Sequence, residues 1–151
     1  MRVQRSSDVN KWLLLIYRIP REPTAHRVSI WRKLKQLGAV LLHDSVWVLP
    51  ATPQTREQFQ WLASEIVEQG GQATLSLSEI LGEAERAKLE KSFSAATDQA
   101  YQEILSQLQR KKPDLAALGR RYQQARAQDY FRSKLGEKVR KALVAKGESK
   151  S

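Results

Sequence analysis

The chain has 151 residues, no cysteine and a formal net charge of +10, from 26 basic and 16 acidic residues. A 41% apolar share with four tryptophans makes it a folded protein long enough to bury a core. The lack of thiols excludes disulfides, thiol catalysis and thiolate metal sites, and fits a reducing cytoplasm. Through residue 80 there are ten basic and seven acidic residues. From residue 81 there are sixteen and nine, so positive charge accumulates in the second half. Such a balance favours polyanions, because contact with phosphates releases condensed counterions, but it does not choose between DNA, RNA and an acidic protein.

The first element is KWLLLIYRI, residues 11–19, a continuous apolar run closed by Pro20 that reads as a buried strand. Its apolar centre, Trp12 to Ile16, is too short for a signal sequence or a membrane span, so a soluble cytoplasmic protein without membrane contact is expected. Pro20 and Pro23 make a short stiff link, since each fixes its own φ and biases the preceding residue away from helix. A helix is predicted from about Thr24 to the closing Gly38. AVLLHD (39–44) and SVWVLPA (45–51) follow as two short strands connected tightly near Asp44 and Ser45. Residues 53–69 form a second helix, with Thr52 as N-cap, Pro53 at the first helical position and Gly70-Gly71 as its end. QATLSLSEI, residues 72–80, supplies a fourth strand or extended segment.

Strand, helix, strand, strand, helix, strand is the ferredoxin-like βαββαβ arrangement, an α+β fold with an antiparallel sheet and both helices on one face. The predicted core draws Leu13, Leu15 and Tyr17 from the first strand and Ile30, Leu34 and Leu37 from the first helix. Val40, Leu42, Val46 and Val48 join from the hairpin, and Phe59, Leu62 and Ile66 from the second helix.

Beyond about residue 82 the pattern becomes helical. Leu89, Phe93, Ala96, Ala100, Ile104 and Leu108 recur at three- and four-residue steps, and Pro113 is expected to end that helix. Leu115, Leu118, Tyr122 and Ala125 begin a further stripe. Phe131, Leu135, Val139 and Leu143 continue one after a break expected at Ser133–Gly136, and the terminal GESKS is expected to fray. The chain therefore divides into an α/β unit over 10–80 and a helical hairpin or small bundle over 83–147, packed on the first unit or on a partner subunit.

Catalytic chemistry finds little to use. A carboxylate closing the first strand is what a metal site at a dimer seam would need, and Arg18 stands there instead. Glu22, beside Arg21, and Asp44, at a turn, read as a surface ion pair and a turn-former. His26 and His43 are the two histidines, and His43 and Asp44 point to opposite sides of a strand, so they are not a dyad. No nucleophile context, phosphate loop or cofactor motif is readable. No enzyme, metal or cofactor is expected.

Basic residues offer more. Around the first helix lie Arg18, Arg21, Arg27, Arg32, Lys33 and Lys35, a candidate patch for phosphates. Arg27 projects between Leu34 and Trp31 at the edge of the apolar face. It must snorkel, stack on an aromatic or pair with an acid, and the alternative to a phosphate role is that it anchors the helix to a carboxylate, in its own chain or across a dimer interface. In the helical half, Arg120, Arg121 and Arg126 are the candidates, amid Arg110–Lys112, Arg132, Lys134, Lys138, Arg140 and Lys141, with Tyr122, Tyr130 and Phe131 interleaved. Those aromatics serve either as a base-stacking surface or as core. No helix-turn-helix signature is present.

YRIPREPTAHRVSIWRKLKQLGAVLLHDSVWVLP followed by TREQFQWLASEI strongly resembles the N-terminal domain of the ChrB chromate-resistance regulators, and the likeness continues through EQGGQATL, AATDQAYQEIL and RAQDYF. More distantly the first eighty residues resemble the ferredoxin-like domain of PaaX-type repressors and a small CRISPR-associated nuclease, whose metal-binding aspartate position here holds Arg18. Together with the basic balance, this likeness leads to the expectation of a DNA-binding module of a chromate-responsive transcriptional regulator, a homodimer. The ChrB resemblance implies regulation of a chromate-efflux operon with chromate as the inducing effector. It also implies a further C-terminal chromate-resistance domain that these 151 residues do not contain. Two other readings stay open: a dimerisation or protein-interaction module of the same system without a nucleic-acid role, and direct capture of chromate by clustered arginines.

Overall fold

The structure is a computed structural model that describes residues 10–150. The elements are β1 (Trp12–Arg18), α1 (Thr24–Gln36), β2 (Val40–His43), β3 (Val46–Pro50), α2 (Pro53–Glu68), β4 (Gln72–Ser78), α3 (Glu83–Leu108), α4 (Leu115–Ala127) and α5 (Lys134–Lys150). The chain forms two compact units that divide after Arg86.

In the first unit the four strands form one antiparallel sheet in the order β2-β3-β1-β4, and each of the two central strands, β1 and β3, leads into a helix. β1 pairs with β4 along its whole length, from Trp12↔Ser78 to Arg18↔Gln72. Side chains alternate across the sheet, so Leu13, Leu15 and Tyr17 share one face and Trp12, Leu14 and Ile16 the other. Leu13 lines a recess with α2 residues and Tyr17 lines one with α1 residues, so both helices cover the first face. That is the element order and layering predicted.

The hairpin register is where the core departs from expectation. Leu13 pairs with Leu49 and Leu15 with Trp47, so Trp47 and Leu49 are the β3 residues under the helices. Val48 faces the other way and is nevertheless fully buried, as is Trp12. The sheet is therefore apolar on both sides, the property that an unbroken run such as WLLLI encodes. Asn10 fastens the start of β1: its Oδ1 accepts from Trp12 Nε1 at 3.0 Å and its Nδ2 donates to the Ile80 carbonyl at 2.9 Å.

Both helices of this unit end in the same backbone motif. Gly38 and Gly70 have φ of +78° and +87°, and the residues after them donate back to Leu34 (3.1 Å) and Ile66 (2.9 Å). Only a residue without Cβ enters that region at no steric cost. At its other end α2 carries the predicted cap, with Thr55 N donating to Thr52 Oγ1 and Thr52 N to Thr55 Oγ1. Thr55 Oγ1 also donates to the Pro50 carbonyl at 2.6 Å, which accounts for a buried hydroxyl.

The second unit is a helical bundle whose core joins Tyr101, Ile104 and Leu108 to Leu118, Tyr122, Ala125 and Val139. The buried stripe of α3 runs through the expected Leu89, Phe93, Ile104 and Leu108, with Ala100 partly buried against the core, and it takes in Thr97 and Tyr101 in place of the exposed Ala96. α3 stops at Leu108, ahead of Pro113, and Asp114 caps α4 by accepting from Ala117 N. The break before α5 spans Gln128–Ser133, earlier than expected, and Gly136 lies inside the first turn of α5. There a Cβ would meet the Tyr101 ring at 3.0–3.2 Å, so the glycine makes room for a side chain. Asp129 accepts from Ser133 N and from Tyr101 Oη (3.0 Å), and Ser133 Oγ bonds Asp98 and caps Leu135 N. α5 is helical to Lys150, so it includes the described part of the terminal GESKS segment, and Ser151 lies outside the described residues.

A Cβ on Gly71 would fall on the Arg18 carbonyl oxygen and within 2.8 Å of Ile66 Cγ2. Gly71→Ala is expected to destabilise the first unit by about 2 kcal/mol or more, read from the urea midpoint. In the second unit, burial, then the Asp129 hydrogen bond, push the Tyr101 phenol well above its ordinary 10.0. The native state keeps this proton after the unfolded chain has lost it, so the associated stability is full below about pH 10 and declines as pH rises towards the raised value. Urea titrations in neutral and strongly alkaline buffer should show a smaller alkaline loss in Tyr101→Phe than in the wild type.

Candidate nucleic-acid interface

The link IPREP carries the chain from the end of β1 to α1, and the Glu22–Pro23 bond in it is cis. Because α1 starts immediately after this link, its first turns lie beside the last residues of β1 and the β2–β3 turn. Asp44 makes that turn with φ of +34°, a conformation that a short polar side chain tolerates. The result is a surface recess of about 600 Å³ lined by Tyr17, Arg18, Ile19, Thr24, Arg27, Val28, Trp31, Arg32, Asp44 and Ser45.

Three of the predicted basic residues, Arg18, Arg27 and Arg32, meet there. All three are exposed, and none forms an ion pair among the described residues. Arg27 lines the recess together with the Tyr17 phenol. Burial pushes the Tyr17 pKa up, and the neighbouring Trp47 side chain and the Arg27 charge oppose that shift. Arg27 is exposed beside the aromatic side chains of the recess and, among the described residues, forms no ion pair with a carboxylate of its own chain.

Arg21 is exposed in the preceding link. Lys33 and Lys35 are engaged elsewhere on α1: Lys33 Nζ bonds Glu65 on α2, and Lys35 Nζ lies 5.7 Å from the centre of the Trp31 ring. Trp31 itself is 51% exposed, a large apolar surface held at the rim of a basic recess. Sequence reasoning assigns Tyr17 to the core and passes over Thr24, Trp31 and Ser45 as recess residues. Strand alternation places Tyr17 on the helix-covered face, and its position at the strand's end is the available signal that it reaches the rim.

Arg120, Arg121 and Arg126 belong to the second unit and are exposed on α4. Arg126 Nη1 donates to Tyr122 Oη at 2.8 Å. The aromatics interleaved with these charges are packing residues. Tyr122 is buried against Tyr101 at 6.2 Å, and Phe93 meets Tyr130 edge-on at 5.9 Å and Phe131 at 6.2 Å. Arg140 is matched by Glu137 one turn earlier, which holds that carboxyl below its ordinary range.

Among the described residues no three His, Asp or Glu side chains converge as a metal site would require, and no helix is long and apolar enough to cross a membrane. Residues 27–127 match the family described as Protein ChrB, N-terminal. The chain belongs to this family. It is 30% identical over 95 residues to Protein ChrB of Cupriavidus metallidurans, an alignment covering 63% of this chain and 29% of that protein. The chain thus corresponds to under a third of that relative's length. No solved structure matches it. The family match begins at Arg27 and so takes in most of α1, while Arg18 and Arg21 precede it.

If the Arg27 charge lies against the Tyr17 phenol, Arg27→Ala removes the effect that favours the phenolate. The Tyr17 ionisation midpoint is then expected to rise further, measured at 295 nm as the difference from a Tyr17→Phe background. An unchanged midpoint would place Arg27 away from the recess.

Proposed function

We propose that this chain is the DNA-contacting module of a chromate-responsive transcriptional regulator and carries no catalytic step of its own. The observation that supports this reading is the recess of Arg18, Arg27 and Arg32, three exposed guanidiniums without ion pairs among the described residues, rimmed by Thr24 and Ser45 hydroxyls. Guanidiniums suit phosphate oxygens because their fork of N–H groups can donate two parallel bonds. Hydroxyls and the start of a helix add further donors of the kind that position a duplex without reading bases. Family membership supplies the chromate context, since ChrB proteins are the chromate-resistance regulators that the sequence resembles. Chromate enters this reading as the effector of the whole regulator, and its binding to these 151 residues is no part of it.

Fluorescence anisotropy on the promoter region of the chain's own operon and on scrambled DNA, over a salt series, tests the reading. Wild type should bind the promoter more tightly than scrambled DNA, and log K should fall linearly with log salt. Arg27→Ala with Arg32→Ala should make that slope shallower by about 0.9 for each phosphate the variant leaves unneutralised. Lys33→Ala should matter less, because Lys33 is already committed to Glu65. Absence of binding at low salt, or equal affinity for scrambled DNA, would overturn a regulatory role.

A further inference from the structure

β4 is an edge strand: it pairs with β1 on one side and, among the described residues, has no ladder on the other. Edge strands normally carry charges, prolines or bulges that discourage pairing with another chain. β4 has none of these. QATLSLS is uncharged, contains no proline and keeps unbroken register with β1 over seven residues. Thr74 is exposed and Leu77 is 53% exposed.

We propose that β4 pairs antiparallel with β4 of a second copy, about a two-fold axis at Leu75, joining two sheets into one of eight strands. Three observations favour a second copy over an unrelated peptide. The first is the uninterrupted strand: a two-fold at Leu75 pairs all seven residues of β4 and, as in any antiparallel pair about a two-fold, keeps the helix-covered faces of both sheets on the same side.

The second is the position of α2, which lies across β1 and β4. With strands about 4.8 Å apart, the two-fold brings the two α2 axes to roughly 10 Å, a helix-packing distance. The flank of α2 that would meet its copy presents Arg56, Gln60, Ala63 and Ser64, which line a recess with Leu75 and Leu77. Ala63 and Ser64 are small enough to allow close approach, and Arg56 is the one charge on this flank, near its N-terminal end.

The third is charge. Between Ala51 and Gly82 the chain has one basic residue, Arg56, against Glu57, Glu65, Glu68 and Glu79. A chain of net +10 meets a copy of itself with least repulsion at a surface that is not positive. This surface shares no residue with the arginine recess, and the inference does not rest on the DNA reading.

Sedimentation velocity over a concentration series decides it. Wild type should shift from monomer to dimer. Thr74→Lys, a charge on the free edge, should raise the dimer dissociation constant at least about tenfold with an unchanged circular dichroism spectrum. Leu41→Lys, on the opposite edge strand, should leave the dimer intact. In a chain without cysteine, Leu75→Cys should yield a disulfide-linked dimer on oxidation, which keeps the test decisive if Thr74→Lys fails to fold. A wild type that stays monomeric would leave the edge to some other partner and overturn the proposal. So would a Thr74→Lys variant that dimerises normally, or a Leu75→Cys variant that does not cross-link.

Discussion

The backbone approach at Gly71 holds the first unit in register. Where α2 turns into β4, the chain passes so close to the Arg18 carbonyl and to Ile66 that no side chain fits. This approach seats the start of β4 against the end of β1, and the regular seven-pair ladder runs from there. Two functional features follow. The end of β1, with Arg18, is held beside α1, and Leu75 becomes the midpoint of an uninterrupted edge strand. A shift of one residue at this turn would exchange the faces of β4 and remove Leu75 and Leu77 from beneath α2.

Charge is distributed to match. Within the first unit, basic residues gather on β1, the proline link and α1, whereas α2 and β4 carry a single arginine among several glutamates. The Lys33–Glu65 pair joins α1 to α2 across this divide. An exposed ion pair of this kind contributes little to stability, but it engages one lysine of α1 and leaves the arginines without ion pairs among the described residues. The same unit thereby presents one strongly basic surface and another that is not positive. In the second unit the exposed arginines of α4 stand over a core in which Tyr101 is the organising side chain, packed against Gly136 and bonded to Asp129.

Much of the fold was legible because its signals are local. Proline spacing and the Thr52 cap fixed where α2 begins, the glycines fixed where both helices end, and hydrophobic runs identified all four strands. The candidate site was partly legible. Basic residues around α1 could be named, yet nothing in their spacing revealed that Lys33 reaches α2 or that Lys35 sits over Trp31. The aromatics of the helical half were ambiguous for the same reason: a tyrosine beside an arginine reads alike whether it stacks on a base or fills a core.

By itself, then, the sequence determined the element order, the helix boundaries of the first unit, the family and the excess of positive charge. Each depends on residues near in the chain or on composition. Only the tertiary structure decided the hairpin register that buries Trp47 and Leu49 under the helices, and the meeting of Arg18, Arg27 and Arg32 at one recess. It also decided the place of the break before α5. These depend on which surfaces meet across long stretches of chain, and pairing of that kind is set by packing and steric fit between distant residues rather than by local propensity.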